Sequence, residues 1–400
     1  GDAITLSAKA KDLEGEEHTL WFRVPGHLKD ALTEHADPFV TGFLFPFMQW
    51  GRPVHIHGAS VSPSLLANLE LLSDIWHMRY PETYYPVRFK ADDESELPKS
   101  VYNDEGLTCF TGGVDSCYTV WRHHNASAGR LMKNITAGII VHGFADLPLE
   151  KVELFETALK NCEMLLNDLE MEVIGIASNP QELPIAGRHT WRHSHGAAIG
   201  ACLSLFSNRF RYGLIPSSLP YTLAGVDYGT SPLTDQLMSS GNFRIMADGS
   251  EALRIRKIAK ITEWPKMLEG LRSCNNGEGT KGNCCRCEKC IRTMLSLRAL
   301  GVRNPACFGE IASDKDIRRI HIRYRSQVLA LEGVQELAAE QGVQHESWSK
   351  SLAQAIRRGR LRIFRKSITA QVKYRSLLVL HYLTAGKVQS PYKPENAPWG

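Results

Sequence analysis

Residues 107–116, Leu107-Thr108-Cys109-Phe110-Thr111-Gly112-Gly113-Val114-Asp115-Ser116, decide how the rest of the chain is read. A short apolar run of strand length meets a threonine and two glycines, and a helix opens from Ser116. Paired glycines let a backbone turn sharply and approach an anion closely. The hydroxyls of Thr111 and Ser116 and the amides of the helix N-terminus supply donors to it. Strand before and helix after are the setting that a pyrophosphate cradle requires, although a purely structural turn would also use Gly-Gly followed by Asp and Ser as an N-cap. The spacing is neither that of a dinucleotide fingerprint nor that of a Walker A loop, since no Lys follows the second Gly.

Outward from this loop, strands and helices alternate. Strands are expected over 107–110, 135–142, 171–177 and 212–216, and helices over 150–169 and 193–207. Repeated βα units predict an α/β fold with a doubly wound parallel sheet covered by helices on both faces. Before it, residues 1–98 read as a small α+β domain. Ile4, Leu6 and Ala8 alternate toward a turn at Gly15, and Leu20, Phe22 and Val24 alternate away from it, which is a hairpin pattern. A strand near 54–57, a helix started by Ser62 and Pro63, and a returning strand over 84–90 complete that unit. The acidic, Pro-closed stretch Ala91-Asp92-Asp93-Glu94-Ser95-Glu96-Leu97-Pro98 marks the boundary, and residues 99–310 form the central domain.

Residues 311–400 read as a basic helical extension, with helices expected over 328–339 and 352–380 and a loose Pro- and Asn-rich tail. They hold 16 Lys and Arg against 7 Asp and Glu, so the net charge of +4 for all 400 residues resolves into a basic end and an acidic remainder. No apolar run approaches the ~18 residues of a membrane span, which argues against a membrane. The N-terminus lacks the basic and apolar stretches of a secretory signal, and the absence of Met there suggests processing. A cytoplasmic location is expected.

Four cysteines, Cys274, Cys284, Cys287 and Cys290, follow the pattern Cys-x9-Cys-x2-Cys-x2-Cys with Gly277, Gly279 and Gly282 between the first two. Four thiolates at this spacing suit tetrahedral Zn²⁺ in a closed, structural site. A redox pair or an iron–sulfur cluster could use the same ligands, and Cys285 could replace Cys284 if the turn differs. Cys109, Cys117, Cys162, Cys202 and Cys307 read as small core residues.

The segment Thr111–Ser116 resembles the Ser-Gly-Gly-x-Asp-Ser loop of the PP-loop ATP pyrophosphatases, with Thr in place of the first Ser. That resemblance implies cleavage of ATP between the α and β phosphates, adenylylation of a carboxylate or carbonyl oxygen, and displacement of AMP by a nitrogen or sulfur nucleophile. It implies that Thr111, Gly112, Gly113, Val114, Asp115 and Ser116 hold the pyrophosphate with Mg²⁺, and that Val141, His142 and Gly143 flank the adenine. Joined to the four-cysteine loop, it is similar to the 7-cyano-7-deazaguanine synthase (QueC) family over about residues 105–305. The implied substrate is 7-carboxy-7-deazaguanine, carried through an adenylate to an amide and a nitrile with ammonia. Arg254 and Lys257 lie where that family has a Lys-containing helix start, implying phosphate or carboxylate contacts, with Asp115, Ser116 and Lys257 as the catalytic set. A plain synthase is shorter than this chain. The added N- and C-terminal segments resemble enlarged QueC-like proteins of bacterial anti-phage systems, in which a protein amine could replace ammonia.

Further substrate candidates are His193 and His195, near His189 at a helix start, and Asp227, Tyr228 and Asp235 in the loop beyond the sheet. Packing, capping or a metal are the alternatives for the histidines. Between Lys350 and Arg375 stand nine Lys and Arg and no acid. Nucleic acid is one reading of this run, but a solvated face or an acidic protein partner is preferred. The function expected is therefore an ATP-dependent ligase acting on a deazapurine-like carboxylate. The alternatives are a tRNA-modifying PP-loop enzyme and a non-enzymatic binding module with a degenerate nucleotide site.

Overall fold

The computed structural model describes residues 2–97, 104–185, 190–225, 228–274 and 282–383, with side chains as far as residue 366. His189, Asp227, Gly277, Gly279 and the loose tail lie outside the described residues. The chain divides into two compact units, residues 1–283 and 284–400.

In the first unit the order is β1 (Ala3–Lys11), β2 (Glu17–Pro25), α1 (Asp37–Gly42), α2 (Leu44–Trp50), β3 (Val54–Ile56), α3 (Pro63–Arg79) and β4 (Phe89–Ala91). Then come β5 (Glu105–Cys109), α4 (Val114–His124), β6 (Asn134–His142), α5 (Val152–Asn167), β7 (Glu172–Ser178) and α6 (Thr190–Ser204). The unit closes with β8 (Tyr212–Pro216), β9 (Arg244–Asp248), α7 (Arg254–Ile261) and α8 (Met267–Gly270). Seven strands form one sheet in the order β1-β2-β7-β6-β5-β8-β9, and β3 and β4 form a small parallel pair.

From β7 to β9 every pairing is parallel. The apolar runs explain this: Ala137, Ile139, Ile140 and Val141 of β6 are all buried, and a strand with no polar face needs cover on both sides. The chain steps from β5 outward to β6 and β7, then returns past β5 to β8 and β9. The direction reverses between β5 and β8, and their carboxyl ends open a crevice there.

The hairpin read around Gly15 is present, with Ala3 to Lys11 paired antiparallel to Glu17 to Pro25. It does not stand apart. β2 joins the sheet edge through Phe22 and Arg23 opposite Ser178 and Ala177, and Leu20, Phe22 and Val24 share one core with Leu107, Ile139 and Ile174. Hydrogen bonds from Thr33 N–H to Leu205 O (2.9 Å) and from Asn68 Nδ2 to Ser239 O (2.9 Å) tie the same region to the sheet. The compact units meet at residues 283 and 284, and the hairpin shares the core of the sheet.

Two local expectations change. The strand over 84–90 shrinks to Phe89–Ala91: Pro86 has no N–H for a ladder, Tyr85 N–H goes to Met48 O, and the Tyr84 ring packs among Phe45, Trp76 and Tyr80. Ser62 holds the N-cap position of α3, yet its hydroxyl donates to Asp37 Oδ2 at 2.7 Å rather than capping the helix.

The second unit is helical: α9 (Glu288–Ala299), α10 (Asp314–Arg319), α11 (Arg325–Glu340) and α12 (Ser347–Leu383). Its core gathers Val328, Leu331, Val334 and Leu337 of α11 with Trp348, Leu352, Ala355 and Ile356 of α12. The i, i+3, i+4 spacing leaves Arg357, Arg358, Arg360, Arg362, Arg365 and Lys366 facing solvent. No helix among the described residues is long and apolar enough to cross a membrane.

Candidate functional site

The loop after β5 leads into α4 through Gly112 at φ +67° and Gly113 as the N-cap in extended conformation. At Gly112 a side chain would be strained by the backbone angle rather than by crowding, the nearest neighbour of an added Cβ being Gly270 O at 3.6 Å. The loop is pinned from both ends. Ser116 Oγ accepts from Thr111 N–H at 3.3 Å and donates to Gly113 O at 3.1 Å, and Arg272 N–H donates to Gly112 O at 2.8 Å. The buried Arg272 side chain donates to Asp146 O at 2.9 Å and pairs with the Asp146 carboxylate at 3.3 Å, linking the loop to the turn after β6. The first-turn amides of α4 have no acceptor within the helix and carry its positive dipole end.

Asp115, in that first turn, meets two cations from α7. Arg254 NH1 lies 2.5 Å from Oδ2 and Lys257 Nζ 3.1 Å from Oδ1. Lys257 is almost wholly buried and also donates to Ser217 O, 2.5 Å away, just past the end of β8. Ser218 Oγ donates to Asp115 Oδ2 at 3.4 Å. Burial pushes the Asp115 carboxyl up, but the charges of Arg254 and Lys257 outweigh it and hold the group below the usual carboxylate range. Asp115, Ser116, Arg254 and Lys257 therefore come together at the crevice between β5 and β8.

Tyr228 joins them. Burial raises its phenol, and the neighbouring Asp115 charge raises it further. The Arg192 guanidinium lies 5.7 Å from its ring centre and the His195 ring 4.5 Å away. His195 donates Nδ1–H to Trp191 O at 3.0 Å, and burial drives its pKa down to about 4, so the imidazole is neutral at pH 7. Trp191 in turn meets Phe144, edge to face at 5.1 Å, just past β6. A line of rings, Phe144, Trp191, His195 and Tyr228, thus borders the carboxyl ends of the strands beside the loop. Phe144, Trp191, Arg192, Ser217, Ser218 and Arg272 were not singled out in the sequence. The Trp191-Arg192 pair preceding the histidines was the one available signal.

Val141 is buried in β6. His142 donates Nε2–H to Pro148 O at 3.1 Å and stacks on Phe155 at 4.6 Å. Gly143, at φ +114°, passes so close to β7 that a Cβ would sit 1.7 Å from Ser178 O. His193 packs among Trp76, Tyr80 and Tyr84, with Nδ1 2.9 Å from the Tyr84 hydroxyl, away from the loop cluster. Asp235 is buried, accepts from Ser231 N–H at 2.7 Å, and burial pushes its carboxyl up to about 8.

The ligand sulfurs of Cys274, Cys284, Cys287 and Cys290 all lie within 4.8 Å of one another. Cys284 Sγ and Cys290 Sγ are 3.9 Å apart, matching the roughly 3.8 Å edge of a tetrahedron with metal–sulfur bonds of about 2.3 Å. Backbone N–H groups of Cys287 and Cys290 donate to Cys284 Sγ and Cys287 Sγ, each at 3.4 Å, which stabilises thiolates. The cluster could hold a metal such as zinc. Cys285 lies outside this set; it takes the left-handed turn position at φ +59°. Cys109, Cys117, Cys162, Cys202 and Cys307 are buried as core residues.

These arrangements offer a glycine loop with two fixed cations beside it, a border of aromatic rings and a four-cysteine cluster that could hold a metal. No protein-family model, curated protein or solved structure matches the chain.

Proposed function

We propose that the first unit is a doubly wound PP-loop domain that binds ATP and adenylylates a carboxylate, with 7-carboxy-7-deazaguanine as the substrate best suited to the resemblance. The observation that carries this reading is the meeting of Gly112, Gly113, Asp115, Arg254 and Lys257 at the crevice where the strand order reverses. That crevice is where open α/β sheets take ligands. The loop amides and the two cations suit a pyrophosphate, and the bordering rings suit a planar base.

In the reaction so read, a substrate carboxylate oxygen attacks the α phosphorus of ATP and pyrophosphate leaves. An amine nitrogen then attacks the acyl carbon of the adenylate, loses a proton to solvent, and AMP departs. Lys257 and Arg254 stabilise the charge that grows on the leaving pyrophosphate, and Asp115 keeps both in place before the nucleotide arrives. His195, neutral at pH 7, orients ligand without adding charge. Mg²⁺, when bound with the nucleotide, neutralises phosphate charge; Asp115 is the carboxylate at the loop able to share in holding it, together with phosphate oxygens. Positioning supplies most of the acceleration, since the site needs no strong base. The cysteine cluster, filled by zinc, anchors the segment that follows Arg272 and plays no chemical part. The nucleophile is ammonia or a protein amine, the latter placing the enzyme in anti-phage defence in the cytoplasm.

The test is release of AMP and pyrophosphate from ATP and Mg²⁺ with 7-carboxy-7-deazaguanine, with and without ammonium, compared with Asp115→Ala. Release that depends on the deazaguanine acid and that the variant loses supports the reading; release without ammonium, with no ammonia nitrogen in the product, points to an amine or protein acceptor. No AMP under any of these conditions removes the adenylylating function.

A second reading, an RNA substrate, rests on the solvent-facing basic side of α12. It requires tRNA binding that weakens steeply with salt and is lost on Arg357→Glu/Arg358→Glu.

A further inference from the structure

The small parallel pair β3–β4 carries a cluster that the phosphate-loop chemistry does not use. Its register sets His55 opposite Lys90 and Ile56 opposite Ala91, and Asp92 N–H extends the ladder by donating to Ile56 O at 3.1 Å. Side chains alternate along a strand. His55 and His57 therefore leave one face while Ile56, between them, is buried in the core. Asp92, one step past Ala91, rises on the face of the histidines.

The three groups converge. His55 Nε2 lies 2.9 Å from Asp92 Oδ1, and His57 Nδ1 lies 2.6 Å from Asp92 Oδ2. The imidazole centres are 3.9 Å apart, and the three ligand atoms lie within 4.8 Å of one another. With 40%, 62% and 56% of their side-chain surfaces open, His55, His57 and Asp92 leave room for an ion and its waters.

We propose that His55, His57 and Asp92 bind a divalent transition-metal ion at a site separate from the cysteine cluster. Two neutral imidazoles and a carboxylate form a donor set that suits Zn²⁺, Ni²⁺ or Cu²⁺ and is ill matched to Mg²⁺ or Ca²⁺, which take oxygen ligands. One divalent ion engages both nitrogens and the carboxylate together. Three protein ligands leave the remaining coordination positions to water. The acidic run from Asp92 to Glu96 favours a cation there, and Lys90 is the opposing charge.

The experiment uses the full chain with its cysteine cluster saturated by Zn²⁺, titrated with Ni²⁺ by calorimetry. Wild type takes up one further equivalent. Asp92→Asn weakens uptake at least about tenfold, and His55→Ala/His57→Ala abolishes it, since loss of even an outer-sphere partner costs 10–100-fold. Equal uptake by wild type and the double variant, or none by wild type, overturns the proposal. A measurement without variants stands beside it, namely histidine modification by diethylpyrocarbonate mapped by mass spectrometry. Ni²⁺ must shield His55 and His57 and leave the exposed His124 and His345 reactive; unchanged reactivity at His55 and His57 also overturns the proposal.

Discussion

The glycine loop after β5 and the cysteine loop solve the same backbone problem with different side chains. Each passes through a left-handed residue just before a helix, Gly112 at φ +67° before α4 and Cys285 at φ +59° before α9. At the first, the N-cap is Gly113, which has no side chain to occupy the amides. At the second, the N-cap is Cys287, whose sulfur accepts from Cys290 N–H. Bare amides with nearby Arg254 and Lys257 suit an anion, whereas the same amides spent on sulfur suit thiolates and so a cation. The two loops differ in what takes the helix N–H groups.

The largest effect tests the thiolate half. In protein loaded with zinc, Cys290→Ser should weaken metal retention and destabilise the segment 282–299 by several kcal/mol, because binding energy at a structural zinc is folding energy of order 10 kcal/mol in small peptides. Zinc content and local hydrogen exchange measure it; full retention of metal would break the comparison. Next comes Lys257→Met, which leaves the buried Asp115 carboxylate with one cation fewer and should cost about 3 kcal/mol in urea unfolding. Adding Asp115→Asn should recover part of that loss, since the two residues are in contact.

Smaller still are the two turn residues, with opposite signs. Gly112→Ala should destabilise by about 1–2 kcal/mol, and Cys285→Gly should stabilise by up to about 1 kcal/mol, because only glycine is at ease in the left-handed region. Equal signs would show that neighbours rather than backbone angles govern these turns. The smallest effect is with pH. The Asp115 carboxyl titrates below its usual value in the folded chain, so its contribution is complete above the unfolded value of about 4 and fades as pH falls through the folded one. Protons compete with a metal for sulfur, so an acid titration of the zinc-loaded protein should release the metal before the Asp115 contribution declines. Zinc release monitored with a chelating dye, alongside unfolding of wild type and Asp115→Asn, gives the order.

Both loops were legible because each is local. Glycines, hydroxyls and cysteines sit within a few residues of the turns they build, and the alternation of strand and helix around them follows from hydrophobic spacing. What joins them to distant partners was not legible as contact. Asp115 meets Arg254 and Lys257 across 139 and 142 residues, and no pattern within the chain states that pairing. β9 escaped notice because Arg244-Ile245-Met246-Ala247-Asp248 is short and charged at both ends. His193 and His195 look alike in sequence, yet two residues along α6 turn one ring into an aromatic cluster and the other toward Tyr228.

The N-terminal hairpin has a bearing on whether sheet edges of two copies can pair. A parallel sheet ending at β7 would present a row of unpaired N–H and C=O groups, a template for pairing with another chain. β2 covers part of that row through Phe22 and Arg23, the Asn179 side chain takes the neighbouring Trp21 N–H and Thr19 carbonyl, and β1, now outermost, bears Lys9 and Lys11 in its last turn of alternation. Trimming residues 1–25 would therefore uncover a sticky rim and the apolar side of Leu20, Phe22 and Val24's former neighbours, and the shortened chain would be collected as inclusion bodies rather than as a smaller folded protein.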